Sequence, residues 1–276
     1  FLPWKKKKVT RSKRIDRDML SSISADDQFE RIVISLLPKI MPEYLLEDFE
    51  AYMQEAEKYS RFKSYFLVNS YVSNIIFAYA ASLGKTKGAK IIACQHGCGY
   101  GQSEFNYSEF VERSFSDYYI TWGWHDCFYP KAQILTLPQP NLSRLMNRHK
   151  PKLDLAIWAS NTIQRHVYRI APYPIMPDMI PLYFSHKRRF AASLDSDVRH
   201  YVVYRPYPYD YGWFEEEKDL LKVYNIRIKY SGALPNLLQK VKLYICDHLS
   251  TSCMEALAAN TPSVFFWDYD LCRERE

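Results

Sequence analysis

Leu243-Tyr244-Ile245-Cys246-Asp247-His248-Leu249-Ser250-Thr251-Ser252-Cys253-Met254-Glu255-Ala256-Leu257 reads as a buried strand that passes through a polar turn into a helix. Ser250, Thr251 and Ser252 fall at the helix start, where free backbone N–H groups and the helix dipole favour a phosphate. The same hydroxyls also serve as ordinary helix caps. Glu255, one turn inside, projects near the same end. Its carboxylate suits ribose hydroxyls or the reciprocal bond of a capping box.

Working outward from this turn, the alternation of strand and helix repeats. Strands are predicted at Leu153 to Ala159, His200 to Arg205, Ile226 to Tyr230, Leu243 to Cys246 and Ser263 to Trp267. Helices are predicted around Leu182 to Leu194, and at Phe214 to Tyr224, Leu234 to Val241 and Thr251 to Ala259. Nearer the start, from Asp26 to about Tyr59, apolar residues from Phe29 to Met53 recur at helical spacing, read as two helices separated by Pro38 and Pro42. Strands follow at Tyr65 to Val68, Ile91 to Cys94, Tyr118 to Trp122 and Ile134 to Leu137, and Pro138 to Pro151 reads as a linker. The pattern predicts an α/β chain of two Rossmann-like parallel-sheet halves, 26–138 and 151–276, with a cleft between them and a basic segment over 1–25.

Ligands of such sheets bind beyond the carboxyl ends of the strands, so the polar residues there are the candidates. Gln95-His96-Gly97-Cys98-Gly99-Tyr100-Gly101 follows one strand; its glycines allow close backbone approach, and an imidazole there can carry a proton or contact a phosphate. A structural histidine is the alternative. Cys94, His96 and Cys98 stand too tightly for three tetrahedral metal ligands. Arg205-Pro206-Tyr207-Pro208-Tyr209-Asp210-Tyr211-Gly212-Trp213 follows another strand, where proline and aromatic rings either hold Arg205 and Asp210 in place or simply cover the core. Thr121-Trp122-Gly123-Trp124-His125-Asp126 reads as structural. Asp268-Tyr269-Asp270 spells a metal motif of another fold, here a coincidence of spelling.

With 47% hydrophobic and 25% charged residues the chain has the balance of a globular protein. Its surplus charge is confined to Lys5, Lys6, Lys7, Lys8, Arg11, Lys13, Arg14 and Arg17 against Asp16. This is either a solvated tail or a patch for an anionic membrane surface. No basic groove continues into the fold, which argues against nucleic acid. The six cysteines lack the spacing of a disulfide scaffold and the longest apolar stretch is too short for a bilayer span, so a cytoplasmic location is expected, either free or, where the basic start acts as a patch, peripheral on the inner membrane. Phe1 and the apolar strand just before the last residues lead to the expectation of a chain cut from a longer one.

Four pieces in order carry a resemblance: Gln95-His96-Gly97-x-Gly99-Tyr100-Gly101, Ser116-Asp117 to Thr121-Trp122-Gly123-Trp124, Arg205-x-Tyr207-Pro208-x-Asp210-x-Gly212-Trp213, and Asp247-His248-x-Ser250-Thr251 through Glu255-Ala256-Leu257-Ala258-Ala259-Asn260-x-Pro262. Together they resemble the transferases encoded in bacterial O-antigen gene clusters, with Cys98 where a further glycine is expected. The resemblance implies a GT-B-like fold, similar in its last third to capsule and lipopolysaccharide transferases that use CMP-Kdo. It implies a metal-independent glycosyltransferase with a nucleotide-sugar substrate, no cofactor, and a glycan or lipid-linked glycan acceptor. In that reading Ser250, Thr251 and Ser252 hold the donor phosphate, Glu255 the ribose and Arg205 donor charge. His96, His248 and Asp210 are the candidate acid, base or nucleophile, and Gln95, Gly97 and Gly99 shape the adjoining loop. The alternatives are a teichoic-acid-type polyol-phosphate transferase and a non-catalytic module for glycans or anionic lipids.

Overall fold

The computed structural model describes residues 15–126, 128, 131–161, 177–229, 231–273 and 275. Most of the basic start, Lys5 to Arg14, and Cys127 lie outside the described residues. The chain divides into two compact units, Phe1–Cys94 with Ser116–Tyr118, and Gln95–Phe115 with Tyr119–Glu276. Among the described residues the strands make two parallel sheets, one of four strands and one of five. The α/β class read from the sequence is what the structure shows.

The first unit contains α1 (Gln28–Ile40), α2 (Phe49–Glu57), β1 (Ser64–Leu67), α3 (Ser70–Ser73), α4 (Ile75–Thr86) and β2 (Lys90–Cys94). Asp27 caps α1 by accepting from the Glu30 N–H at 2.8 Å, and Glu30 accepts from the Asp26 N–H at 2.7 Å. Contrary to the expected break, Pro38 lies inside α1, in its last turn. The carbonyls exposed there find a distant donor, because the Arg17 guanidinium bonds Pro38 O at 3.1 Å and Met41 O at 2.9 Å. Glu47 holds that guanidinium through two bonds, at 2.6 and 2.9 Å. Arg17 therefore belongs to the folded unit rather than to a solvated tail.

β1 and β2 pair in parallel from Ser64 with Lys90 to Leu67 with Ala93. The Tyr65 ring lies directly on α4 at Gly84, where an added Cβ would stand 2.3 Å from the ring. Only glycine permits that approach.

The second unit holds α5 (Tyr107–Phe115), β4 (Gln133–Thr136), α6 (Pro140–Leu145), β5 (Leu153–Ala159), α7 (Ile180–Ser193), α8 (Ser196–Arg199), β6 (Val202–Arg205), α9 (Phe214–Val223), β7 (Arg227–Ile228), α10 (Leu234–Leu238), β8 (Val241–Cys246), α11 (Thr251–Ala259) and β9 (Ser263–Phe265). All of β3 (Tyr118–Thr121) but its first residue belongs here too. The expected linker contains α6, started by Pro140 and capped by the Gln139 side chain. Its continuation is tied down by bonds from Asn147 N–H to Ala258 O at 3.0 Å and from His149 N–H to Ala259 O at 2.9 Å.

The five-stranded sheet has the order β7-β6-β5-β8-β9, with parallel pairing throughout. Trp158, Tyr183, Tyr204 and Leu221 fill the core on one side of it. That core also encloses a charge. Lys187 on α7, 1% exposed, pairs with Glu217 on α9 and donates to the Tyr204 hydroxyl at 2.9 Å, and that hydroxyl donates to Glu217 at 2.6 Å. Among the described residues no helix is long and apolar enough to cross a membrane.

A buried charge left without its partner is costly, whereas removing both partners is often tolerated. Lys187→Met should lower unfolding stability by about 3–5 kcal/mol in denaturant titrations. The double substitution Lys187→Met, Glu217→Leu should recover most of that loss. Additive losses would contradict the pairing.

Candidate active site

In a parallel sheet of this order the connections leave β5 in one direction and β8 in the other, and the crevice at such a switch point lies beyond the carboxyl ends of those two strands. The residues that follow them are Ser160 and Asn161 after β5, and Asp247 and His248 after β8. Asp247 is 2% exposed and is the hub. Its carboxylate accepts from the Trp158 indole at 3.0 Å, from the Tyr183 hydroxyl at 2.6 Å, and lies 3.0 Å from His248 Nδ1. Tyr183 in turn accepts from the Asn161 N–H at 3.1 Å and lies 2.8 Å from Ser160 Oγ. One strand end, one helix and the turn after β8 are thereby fixed to one carboxylate.

The electrostatics follow from that burial. Desolvation alone would raise the Asp247 carboxyl, but the Lys187 charge and the bonds from His248 and Tyr183 outweigh it and hold it below its usual range. Burial likewise works against a charged His248, yet Cys246 and the Asp247 bond push it up to about 9. Cys246 is itself kept as a thiol, raised to about 12 first by burial, so near neutral pH the Asp247 carboxylate supplies the charge that His248 meets. His248 is thus a buried partner of Asp247 at this strand end.

At the start of α11, Ser250 occupies the capping position but its side chain makes no capping bond. The hydroxyl instead lies 2.5 Å from Ser252 Oγ, which accepts from the Tyr244 hydroxyl at 2.6 Å. The helix start is therefore not closed by its own serine. Glu255 is half-buried one turn further, and burial raises its carboxyl.

The loop after β2 docks on this same turn. The Cys98 N–H donates to Thr251 Oγ1 at 3.1 Å, and Cys98 packs with Leu249 and Cys272. Gln95, 1% exposed, fixes the loop: its Oε1 accepts from the Trp122 N–H at 3.0 Å and the Trp124 indole at 2.8 Å, and its Nε2 donates to Gly97 O at 2.9 Å. At the far end Gly101, with φ +71°, abuts Trp124, where a Cβ would stand 2.6 Å from the ring. Its N–H donates to Glu109 at 2.8 Å. Glu109 belongs to a closed set of ion pairs in which Arg113 and Arg275 each join both Glu109 and Asp126.

His96 sits on this loop with 31% of its side chain exposed. Nδ1 is 2.7 Å from the Tyr100 hydroxyl and 3.6 Å from the buried carboxylate of Glu112, which also accepts from Tyr119 at 3.3 Å. Burial lowers the His96 pKa, so the ring is neutral near pH 7 and equipped to accept a proton.

Arg205 and Asp210 lie at and beyond the end of β6. Arg205 donates to Ser231 O at 3.2 Å, and burial lowers its pKa. Asp210 is exposed and accepts from the Gly212 N–H at 2.7 Å. Among the described residues no hydrogen bond or ion pair joins Asp210 to His96 or His248, whereas the His96 loop and the Thr251 turn do touch. Asp268 accepts from the Asp270 N–H at 2.9 Å as a local turn. Asp247, Ser160 and Asn161, polar residues directly after a strand, carry the same strand-end signal as the residues named from the sequence, whereas Tyr183 and Glu112 lie inside helices and carry none.

The model of the LIC12162 family of transferases matches residues 2–276. The chain belongs to that family. No curated protein matches the sequence of this transferase. Among solved structures it is similar to the GtfA/B complex, at 13% identity and a TM-score of 0.42 over 79% of this chain and 45% of that one. It is also similar to a mutant of S. aureus TarM in complex with fondaparinux, alpha-GlcNAc-glycerol and UDP, at 11% identity and a TM-score of 0.45 over 80% and 45%. The chain thus spans less than half the length of either.

A histidine whose folded pKa of about 9 lies above its usual 6.5 contributes stability in full below about pH 6.5 and loses it as pH rises through about 9. The stability difference between this transferase and its His248→Gln variant should therefore shrink by roughly 2–3 kcal/mol across that window. A difference that stays constant with pH would show that the pair does not titrate.

Proposed function

We propose that this chain is part of a GT-B glycosyltransferase that binds a nucleotide-sugar at the switch point of its five-stranded sheet and transfers the sugar to a bacterial surface glycan. The observation that supports this reading best is the docking of the glycine-rich His96 loop on Thr251, at a helix start that its own Ser250 leaves uncapped. Backbone N–H groups of the α11 start receive the donor phosphate, with the hydroxyls of Ser250, Thr251 and Ser252 beside them. Arg205 neutralises donor charge and Glu255 takes the ribose. Leaving-group charge is stabilised by the helix dipole and basic side chains.

His96, neutral and steered by Tyr100, serves as the base that takes the acceptor proton. Asp210 on the β6 loop is the carboxylate available for a double displacement. CMP-Kdo as donor, and an O-antigen or lipopolysaccharide acceptor, are the finer terms of this proposal. The basic residues before Arg17 attach the protein to anionic lipid.

Calorimetry with CMP, UDP and GDP tests the donor site. The nucleotide that binds should lose about 10- to 100-fold in affinity in the Ser250→Ala, Thr251→Ala double variant, two charge-assisted bonds being partly replaced by water. Unchanged affinity would return these hydroxyls to a purely structural role. Binding of CDP-glycerol with no response to the other three would transfer the reading to polyol-phosphate transfer. With the donor and acceptor in hand, His96→Ala should reduce kcat by about 10²- to 10⁴-fold while donor Kd stays within a factor of about two.

A further inference from the structure

We propose that Tyr207, Tyr209 and Tyr211 form a stacking platform for a sugar ring of the glycan acceptor. The proposal rests on the glycosyltransferase reading and adds a subsite to it. The three rings contact one another in every pairing, with centroids 6.0, 6.2 and 6.4 Å apart. Two of them nevertheless remain open to solvent, Tyr209 at 65% and Tyr207 at 40% exposure, on a half-buried Tyr211. A cluster that only covered the core would bury these faces.

The loop is built to hold the rings still. Pro206 and Pro208 fix the backbone before and between them, and the Asp210 carboxylate closes a tight turn on the Gly212 N–H at 2.7 Å, with Gly212 at φ +95°. Tyrosine has two side-chain torsions, so little freedom remains to be lost on binding. The loop leaves the carboxyl end of β6, which pairs with β5, so it rises from the same edge of the sheet as the Ser160 and Asp247 turns.

The chemistry selects the occupant. Three rings are too small an area for a stable protein interface, which needs about 1,200 Å² or more. Aromatic faces meet the apolar C–H face of a pyranose, and the polar groups interleaved with them suit its hydroxyls. Asp210 is exposed beside the rings as an acceptor, and each phenol can donate or accept. An anionic membrane surface would call for basic side chains at the tip, where this loop exposes the Asp210 carboxylate.

The test uses the chain on an array of bacterial surface oligosaccharides, with Tyr209→Ala and Tyr209→Phe variants, alongside calorimetry with CMP, UDP and GDP. At least one glycan should bind; Tyr209→Ala should weaken it about tenfold and Tyr209→Phe should retain it, since the ring face carries the contact. Nucleotide affinity should be the same in all three proteins. No glycan bound by the wild-type chain, or a glycan indifferent to Tyr209→Ala, overturns the platform while leaving nucleotide binding to judge the donor site separately. Loss of nucleotide affinity in Tyr209→Ala also overturns it, because the rings would then stack on a base. Circular dichroism melting establishes that each variant is folded, and Tyr207→Ala repeats the test if Tyr209→Ala is not.

Discussion

A carboxylate at the end of a central strand, sealed from water, is tolerable only if donors surround it. Asp247 meets that demand with the Trp158 indole, the Tyr183 hydroxyl and the His248 ring. The donors come from β5, from α7 and from the turn leading to α11, so satisfying one charge locks together the three elements that frame the switch point. Lys187, buried on the same helix as Tyr183, adds its field and is balanced by Glu217 on α9. The polar core is thus a chain of mutual obligations running from the sheet to its covering helices.

The outer shell of the site depends on a second set of buried polar groups. Gln95 spends both ends of its amide on the tryptophan loop and on Gly97, and the ion pairs of Glu109, Arg113, Asp126 and Arg275 anchor Gly101. Between those anchors the backbone of the His96 loop is presented to Thr251. The proposed function places a neutral His96 imidazole and an α11 start that Ser250 leaves uncapped on that frame.

The strands from Leu153 onward are legible because buried parallel strands appear as apolar runs bounded by polar turns, and α11 matches at both ends, whereas the helix expected to reach Val241 stops at Leu238, Val241 opens β8, and α8 carries no apolar period that the sequence reveals. The strand-end rule also pointed to His96, Ser250 and Thr251. What the sequence concealed were side-chain partners far apart in the chain. Pro38 looked like a break because its compensating donor, Arg17, lies 21 residues away. Asp247 looked like one polar residue among several, since Tyr183 is 64 residues upstream. Gln95 looked like a loop residue because its tryptophan partners are 27 and 29 residues on. The α6 segment reads as a linker because a proline such as Pro140 opens a helix as readily as it breaks one.

The most direct test of the central claim is a crystal structure of the chain with the nucleotide that it binds most tightly. A phosphate oxygen should lie within hydrogen-bonding distance of the backbone N–H groups at the start of α11, with the His96 loop still on Thr251. A nucleotide phosphate bound away from α11, with that helix start in contact only with solvent, would contradict it.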